Sequence, residues 1–232
     1  MFHAKPRAMS LIVKICGLST EETLRAALDA GANMVGFNFF PPSPRYVAPA
    51  AARPLADRAH GNADVVALAV NPDDAMLDAI IAGIMPDLIQ LHGKESPERV
   101  AAIRARTGLP VMKAIHIATA DDLAGAARYE TIADMLLLDA TPPKGAILPG
   151  GNGAAFDWTI LAGFKPTKPY LLSGGLTPQN VAEAIAISGA PGVDVSSGVE
   201  SAPGKKDIAL IRAFIAAARS TETQNRRARV AS

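Results

Sequence analysis

A single cysteine, Cys16, lies in the stretch KICGLS at residues 14–19, at the end of an apolar run. A thiolate is an effective base and nucleophile, and a neighbouring cation lowers the pKa of a thiol. Lys14 could supply that cation, because residues two apart in a β-strand lie on the same face. A buried cysteine also commonly serves as a small apolar residue, so Cys16 alone does not define an active site.

Polar residues end several other apolar runs in the same way. They are Asn38, Gln90, His92, Lys113, Asp139, Asp194 and Ser196. Each has a simple structural explanation: His92 could be a hydrogen-bonded core residue, Lys113 a partner for a carboxylate, and Asp139 a cap for the following loop. Their shared position at the ends of predicted strands favours a common site, because buried polar groups need partners.

The elements that would position these residues alternate along the chain. Predicted strands cover residues 11–17, 34–40, 64–70, 88–93, 111–117, 135–140, 169–175 and 192–198. Predicted helices are rich in alanine and cover residues 20–30, 49–60, 73–83, 96–107, 119–128, 157–163, 177–188 and 207–219. Alternating units of this kind predict an α/β fold, with a parallel sheet and the helices outside it.

Closure of that sheet gives a single (β/α)8 TIM barrel, which is the fold that we predict for residues 9–218. The segments GLSTEETLRAALDAGANMV and GLTPQNVAEAIAISGAPGV align without a gap, which favours one unit repeated around a ring. An open, doubly wound sheet is the alternative, although no GxGxxG motif follows the first strand. Residues 1–8 and 219–232 are predicted to be peripheral, flexible ends.

Two loops that contain glycine predict a phosphate site. SGGLT follows the seventh strand and SSGVE follows the eighth, and together they contribute Gly174, Gly175, Ser197 and Gly198. Glycine lets backbone N–H groups approach an anion, and phosphate sites after strands seven and eight recur in this fold. The stretch GGNG at 150–153 is a candidate lid.

Composition narrows the range of partners. The 232 residues carry a formal net charge of +1, which gives no argument for nucleic acid or a membrane surface. No apolar run approaches the ~20 residues that span a bilayer, and the start of the chain lacks the apolar core of a signal peptide. One cysteine forms no internal disulfide, which fits a reducing compartment. We expect a cytoplasmic monomer or homodimer that binds neither nucleic acid nor membrane.

Seven motifs occur in order: KICGLS, FFPPSPRYV, QLHG, LLLDA, GGNGAAFDW, LSGGLTPQNV and VDVSSGVE. Over residues 9–218 they resemble the phosphoribosylanthranilate isomerase family of tryptophan biosynthesis. The resemblance implies a barrel of the ribulose-phosphate-binding type, with no metal and no cofactor. It implies an Amadori rearrangement of N-(5-phosphoribosyl)anthranilate to 1-(2-carboxyphenylamino)-1-deoxyribulose 5-phosphate. Asn152 departs from the family's GGTG motif, in which threonine is common at that position.

The resemblance also implies roles for individual residues. Cys16 would be the general base that removes a proton from C2 of the sugar. Asp139 would be the general acid that protonates the ring oxygen, so it must hold a proton near neutral pH. Arg45 in the SPR motif would bind the anthranilate carboxylate, while His92 and Asp194 would position the substrate. The four residues of the glycine loops would surround the phosphate.

Two alternative functions stay open at this point. A histidine-pathway or bifunctional sugar-phosphate isomerase barrel runs the same rearrangement with two aspartates and a second phosphate site after strand three. Here that loop reads VNPDD, whose acids would repel a phosphate. A non-catalytic phosphate-binding barrel would keep the glycine loops but would not need Cys16 and Asp139 together.

Overall fold

Eight parallel strands form a closed barrel in the computed structural model, which describes residues 10–146, 148–153 and 155–230, with side chains up to residue 222. The strands are β1 Ile12–Cys16, β2 Met34–Asn38, β3 Asp64–Ala69, β4 Leu88–Leu91, β5 Val111–Ile117, β6 Met135–Ala140, β7 Tyr170–Leu172 and β8 Gly192–Val195. They pair in sequential order, and β8 pairs with β1 to close the ring. The predicted barrel is confirmed, and the open sheet is excluded.

Helices cover the outside of this barrel. They are α1 Glu21–Asp29, α2 Pro49–Ala59, α3 Asp74–Ile84, α4 Pro97–Thr107, α5 Asp122–Glu130, α6 Val181–Ser188 and α7 Ile208–Val230. The side chains of Thr20, Asp73 and Ser96 accept hydrogen bonds from the first turns of α1, α3 and α4. These caps satisfy N–H groups that have no partner within the helix. Buried side chains from the outer faces of the strands and from the helices form one continuous core.

The interior of the barrel follows the two-residue period of the strands. One end is apolar and is filled by Met34, Val66, Leu88, Met112, Ala114, Met135, Leu137 and Leu171. Along β6, Met135 and Leu137 share their face with Asp139, which comes last. Along β4, Leu88 precedes Gln90 on the same face. The polar residues therefore begin where the interior approaches the C-terminal ends of the strands.

The connection from β6 to β7 differs from the prediction of a helix over residues 157–163. The described residues of this connection contain a 3₁₀ turn at Trp158–Leu161 and no α-helix. The side chain of Asp157 accepts from the N–H of Thr159 at 2.9 Å, which starts the turn. Gly163 has a φ of 84°, which is incompatible with continuing the turn as a helix. The connection after β8 contains a hairpin that the prediction lacks, β9 Glu200–Ala202 and β10 Lys205–Lys206.

The last helix continues past the predicted boundary at residue 219. Arg219 Nη2 donates to the carbonyl of Gly31 at 3.0 Å, and Glu222 Oε1 accepts from the N–H of Leu11 at 2.7 Å. These hydrogen bonds hold residues 219–222 of α7 beside the start of β1 and the turn after α1. The predicted end 1–8 lies outside the described residues. Within the described part of the chain, no helix combines the length and apolarity needed to cross a bilayer.

Candidate active site

A cavity opens at the C-terminal end of the barrel and encloses about 760 Å³, counted out to its open mouth. All nine predicted site residues line it: Cys16, Arg45, His92, Asp139, Gly174, Gly175, Asp194, Ser197 and Gly198. Three further strand-end residues line it as well, Asn38, Gln90 and Ser196. Closure of the barrel therefore brings to one cavity residues that come from six strands or the loops after them.

Cys16 lies next to a buried ion pair. Lys14 Nζ donates to Asp194 Oδ1 at 2.7 Å, and these two residues are direct neighbours across β1 and β8. Gly36 on β2 leaves space for this group. A Cβ atom at position 36 would lie 3.0 Å from the Sγ of Cys16 and 3.3 Å from the Nζ of Lys14. A larger residue at position 36 would displace the thiol or the ammonium.

The pKa of the Cys16 thiol moves in the direction opposite to the expectation. Burial raises the pKa of Cys16, Lys14 opposes the rise, and the charge of Asp194 adds to it. Burial alone would lower the pKa of Lys14, but Asp194 and Cys16 together outweigh burial and leave that pKa raised. Lys14 lowers the pKa of Cys16 as expected, but burial and the charge of Asp194 outweigh this effect, so the expected net lowering of that pKa is wrong.

Asp139 contacts His92 through its Oδ2 atom, which lies 3.1 Å from the Nε2 of His92. Its other oxygen, Oδ1, accepts from the N–H of Ala140 at 3.0 Å. Gln90 contacts the other ring nitrogen of His92, Nδ1, at 2.9 Å. The orientation of the Gln90 amide therefore sets the tautomer of His92, and with it whether His92 donates to Asp139 or accepts from it.

Lys113 does not reach the cavity, although it is the polar residue that the sequence favours on β5. The interior face of β5 carries Met112, Ala114 and His116, so Lys113 faces outward. His116 packs against His92 with the ring centroids 5.8 Å apart, and burial lowers the pKa of His116. The assignment of Lys113 to the barrel interior is wrong because successive residues of a strand face opposite sides, so an error of one position exchanges the two faces of β5.

Arg45 is buried, although it lies in the loop after β2. Its Nε and Nη2 atoms donate to the two carboxylate oxygens of Glu200 at 2.7 and 2.8 Å. Nη2 also donates to the carbonyl of Gly151 at 3.3 Å. Lys206 donates to Glu200 at 2.7 Å and to the carbonyl of Ser196 at 2.8 Å. Sequence reasoning misses the roles of Glu200 and Lys206, although Glu200 ends the motif VDVSSGVE.

The glycine loops approach their neighbours too closely for a larger residue. A Cβ atom on Gly174, which has a φ of 87°, would lie 2.5 Å from the backbone nitrogen of Ala140. A Cβ atom on Gly198 would lie 1.8 Å from the carbonyl oxygen of Leu176. In the candidate lid, a Cβ atom on Gly150 would lie 2.5 Å from the Nε2 of His92. The lid therefore packs directly on groups at the mouth of the barrel.

The acids of the loop after β3 do not face the cavity. Asp73 accepts from the N–H of Met76 at 2.7 Å and so caps α3. Asp74 pairs with Arg99 at 2.7 Å. Neither residue is among those that line the cavity. Both carboxylates are therefore engaged outside the cavity, Asp73 with the backbone of α3 and Asp74 with the side chain of Arg99.

The closed parallel barrel and the polar cavity at its C-terminal mouth define a (β/α)8-barrel enzyme. The model of one family, described as N-(5'-phosphoribosyl)anthranilate (PRA) isomerase, matches residues 13–217, and the chain belongs to that family. The predicted family, its place in tryptophan biosynthesis and the isomerase class are thereby confirmed.

Individual relatives agree with this assignment. The N-(5'-phosphoribosyl)anthranilate isomerase of Rhodopseudomonas palustris (strain HaA2) is 58% identical over 214 residues, which cover 92% of this chain and 98% of the relative. The Paracoccus denitrificans (strain Pd 1222) enzyme is 60% identical over 210 residues, with 90% and 98% covered. The crystal structure of phosphoribosyl anthranilate isomerase from Thermotoga maritima has a TM-score of 0.82 and 34% identity, with 90% of this chain and 99% of that chain covered.

Proposed function

We propose that this chain converts N-(5-phosphoribosyl)anthranilate to 1-(2-carboxyphenylamino)-1-deoxyribulose 5-phosphate, with Cys16 as general base and Asp139 as general acid. The observation that carries the proposal is that the thiol, the carboxyl, Arg45 and both glycine loops line one cavity. A similar crystal structure, 33% identical with a TM-score of 0.79 over 90% of this chain and 99% of that chain, is a complex with reduced 1-(o-carboxyphenylamino)-1-deoxyribulose 5-phosphate. That ligand supports the same substrate class for this chain.

The reaction needs two proton transfers at the sugar. Asp139 gives its carboxyl proton to the furanose ring oxygen, and the C1–O bond breaks to leave a Schiff base. The Cys16 thiolate then removes the proton from C2, and the electron pair of that C–H bond forms the enolamine. Tautomerisation of the enolamine gives the ketone, so the reaction involves no net oxidation or reduction.

The remaining cavity residues bind the parts of the substrate that do not react. Arg45 binds the anthranilate carboxylate, because a guanidinium can donate to both oxygens of a carboxylate. Gly174, Gly175, Ser197 and Gly198 bind the phosphate through backbone N–H groups and the Ser197 side chain. His92 positions Asp139 through the contact at Oδ2, and Asp194 holds Lys14 beside Cys16.

We expect the enzyme to act in the cytoplasm as a monomer or homodimer, without nucleic acid. A similar structure, 33% identical with a TM-score of 0.78, is described as monomers of dimeric phosphoribosylanthranilate isomerase from Thermotoga maritima. That description supports a dimer as one of the two states.

Turnover of freshly made N-(5-phosphoribosyl)anthranilate by the purified protein, followed as loss of anthranilate fluorescence, tests the reaction. The variant Cys16→Ser tests the base, because an alcohol stays protonated near pH 7. The serine variant should fold normally and keep less than about a tenth of the wild-type kcat, a factor equal to ~1.4 kcal/mol. Wild-type protein that binds the substrate without turnover would instead support the non-catalytic barrel.

A further inference from the structure

We propose that Glu200 is a positioning residue that holds the Arg45 guanidinium ready for the substrate carboxylate, and so makes the enzyme select a carboxylated aromatic amine. The inference rests on the proposed function of Arg45. It adds a residue of the β9–β10 hairpin to the determinants of specificity.

The hydrogen bonds of Arg45 leave one edge of its guanidinium for a ligand. Glu200 occupies the edge formed by Nε and Nη2, at 2.7 and 2.8 Å. Nη1 donates to no group among the residues whose side chains are described, and the second donor of Nη2 contacts only the carbonyl of Gly151 at 3.3 Å. A carboxylate that takes the Nη1–Nη2 edge would replace this one long contact with two charge-assisted hydrogen bonds.

Glu200 is itself fully held, so it can act as a fixed support. Its Oε1 atom accepts from Arg45 and from Lys206 at 2.7 Å. Its Oε2 atom accepts from Arg45 and from the N–H of Gly204 at 3.2 Å. Burial alone would raise the pKa of Glu200, but the hydrogen bonds from Arg45 and the charge of Lys206 outweigh burial and lower that pKa. The carboxylate is therefore charged at the pH at which the enzyme works.

The stem of Arg45 is held on the other side by Gly17, which directly follows Cys16. A Cβ atom on Gly17 would lie 2.8 Å from the Cδ of Arg45, and Gly17 also has a φ of 77°. The Arg45 side chain is thus fixed at both ends, because its aliphatic part packs against Gly17 and its guanidinium is hydrogen-bonded to Glu200. Arg45 needs little rearrangement to bind a carboxylate, which reduces the entropy lost on binding.

The charges of this cluster also favour an anion. Arg45 and Lys206 carry two positive charges, Glu200 carries one negative charge, and all three side chains are at least 94% buried. A buried net charge is unfavourable unless it is paired. A substrate carboxylate at the free edge of Arg45 would neutralise the remaining positive charge.

The test compares two substrates in the same protein sample. One is N-(5-phosphoribosyl)anthranilate, and the other is N-(5-phosphoribosyl)aniline, which lacks only the carboxylate. Wild-type enzyme should prefer the first in kcat/KM by about tenfold to 150-fold, as expected for a charge-assisted contact. Glu200→Gln and Glu200→Asp should each reduce this preference at least fivefold. The ratio does not depend on how much of a variant is folded, because the same active molecules turn over both substrates.

Glu95→Gln is the matched control, because Glu95 is another buried glutamate paired with a lysine, Lys113, at 2.9 Å. It should leave the preference at the wild-type value. An equal loss of preference in Glu95→Gln would mean that any loosened ion pair has the effect, and would overturn the inference.

Arg45→Ala separates this inference from the proposed function. It should abolish the preference for the carboxylated substrate. If Arg45→Ala keeps the preference, the carboxylate contact assigned to Arg45 is wrong. If Arg45→Ala loses it while both Glu200 variants keep the wild-type ratio, Arg45 binds the carboxylate without help from Glu200, and only the positioning role is overturned. Glu200→Asp retains the charge that pairs with Lys206, so it supplies the measurement if Glu200→Gln does not fold.

Discussion

Two glutamates with buried side chains, Glu95 and Glu200, have the same kind of partner but different surroundings. Glu95 pairs with Lys113 at 2.9 Å and accepts from the N–H groups of Asn71 and Gly93. Lys113 also donates to the carbonyls of Leu91 and Gly93 at 3.3 and 2.8 Å. Neither Glu95 nor Lys113 lines the cavity. Glu200, in contrast, bonds directly to Arg45, which does.

This difference separates a structural ion pair from a functional one. The contacts of the Lys113–Glu95 pair end on the backbone of the loops after β3 and β4, so the pair holds those loops in place. The Arg45–Glu200–Lys206 cluster has one surplus positive charge next to the cavity. We therefore expect changes at the first pair to lower stability, and changes around the cavity to lower activity or specificity.

The largest expected effect is on activity, at Asp139. Asp139→Asn keeps the size of the side chain but cannot give up a carboxyl proton, so kcat/KM should fall by about 10²–10⁴-fold, the usual contribution of a general acid. The midpoint of urea unfolding should move little, because the amide oxygen can still accept from the N–H of Ala140. A variant that keeps more than a tenth of the activity would show that Asp139 is not the acid.

The next largest expected effect is on stability, at Lys113, which does not line the cavity. Lys113→Met leaves Glu95 buried without its cation, which should lower the free energy of unfolding by about 3–5 kcal/mol. Activity per folded molecule should stay within about twofold of the wild type, because surface or core changes remote from the site act mainly through stability. Urea unfolding followed by circular dichroism measures the free energy of unfolding, and kcat/KM of the native fraction measures the activity per folded molecule.

The double variant Lys113→Met with Glu95→Gln sharpens this prediction. Removal of the carboxylate charge should restore part of the lost stability, because the cost comes from the unpaired charge. If Lys113→Met instead lowers kcat/KM of folded molecules by more than tenfold, the distinction between the two glutamate clusters fails.

The smallest effect concerns the pH dependence of Cys16. Burial raises the pKa of this thiol, so the native chain holds the proton more tightly than the unfolded chain does. The resulting stability is present below the unfolded thiol pKa of about 8.5 and is lost as the pH rises through the higher native value. If the thiolate is the base, the acidic limb of the kcat/KM profile should follow the titration of this thiol.

Alkylation by iodoacetamide measures the same titration directly, because the chain has one cysteine. The alkylation rate and the acidic limb of kcat/KM should follow the same pH curve, and Cys16→Ser should lose the alkylation. A rate that levels off well below pH 8.5 would contradict the raised pKa. A rate that climbs after kcat/KM has levelled off would show that the thiolate is not the base.

The sequence predicts the barrel and the residues around the cavity because both follow from local patterns. The side chains of each strand point alternately to the core under the helices and to the barrel interior. A polar residue on the interior face at the C-terminal end of a strand therefore faces the common mouth. Cys16, His92, Asp139 and Asp194 all obey this rule. The rule fails on β5, because Lys113 and His116 are both polar and the local pattern does not say which face is inside.

Other features depend on contacts between distant parts of the chain, which no local pattern contains. Arg45 and Glu200 are 155 positions apart, so their pairing becomes visible only in the folded barrel. The pKa of Cys16 likewise depends on Asp194, which compensates the charge of Lys14 from the opposite end of the sequence. The 3₁₀ turn after β6 replaces a predicted helix because the Asp157 side chain and Gly163 favour a short turn over an amphipathic pattern.

The contact between α7 and the start of β1 has a consequence for how the chain folds during its synthesis. Leu11 and Glu222 are 211 positions apart, and β8, which completes the ring beside β1, also comes late. The ribosome delivers β1 before β8, so β1 keeps one unpaired edge until β8 has been translated. Exposed strand edges promote association between chains. The nascent chain is therefore most vulnerable to aggregation before β8 closes the ring and α7 packs beside the start of β1.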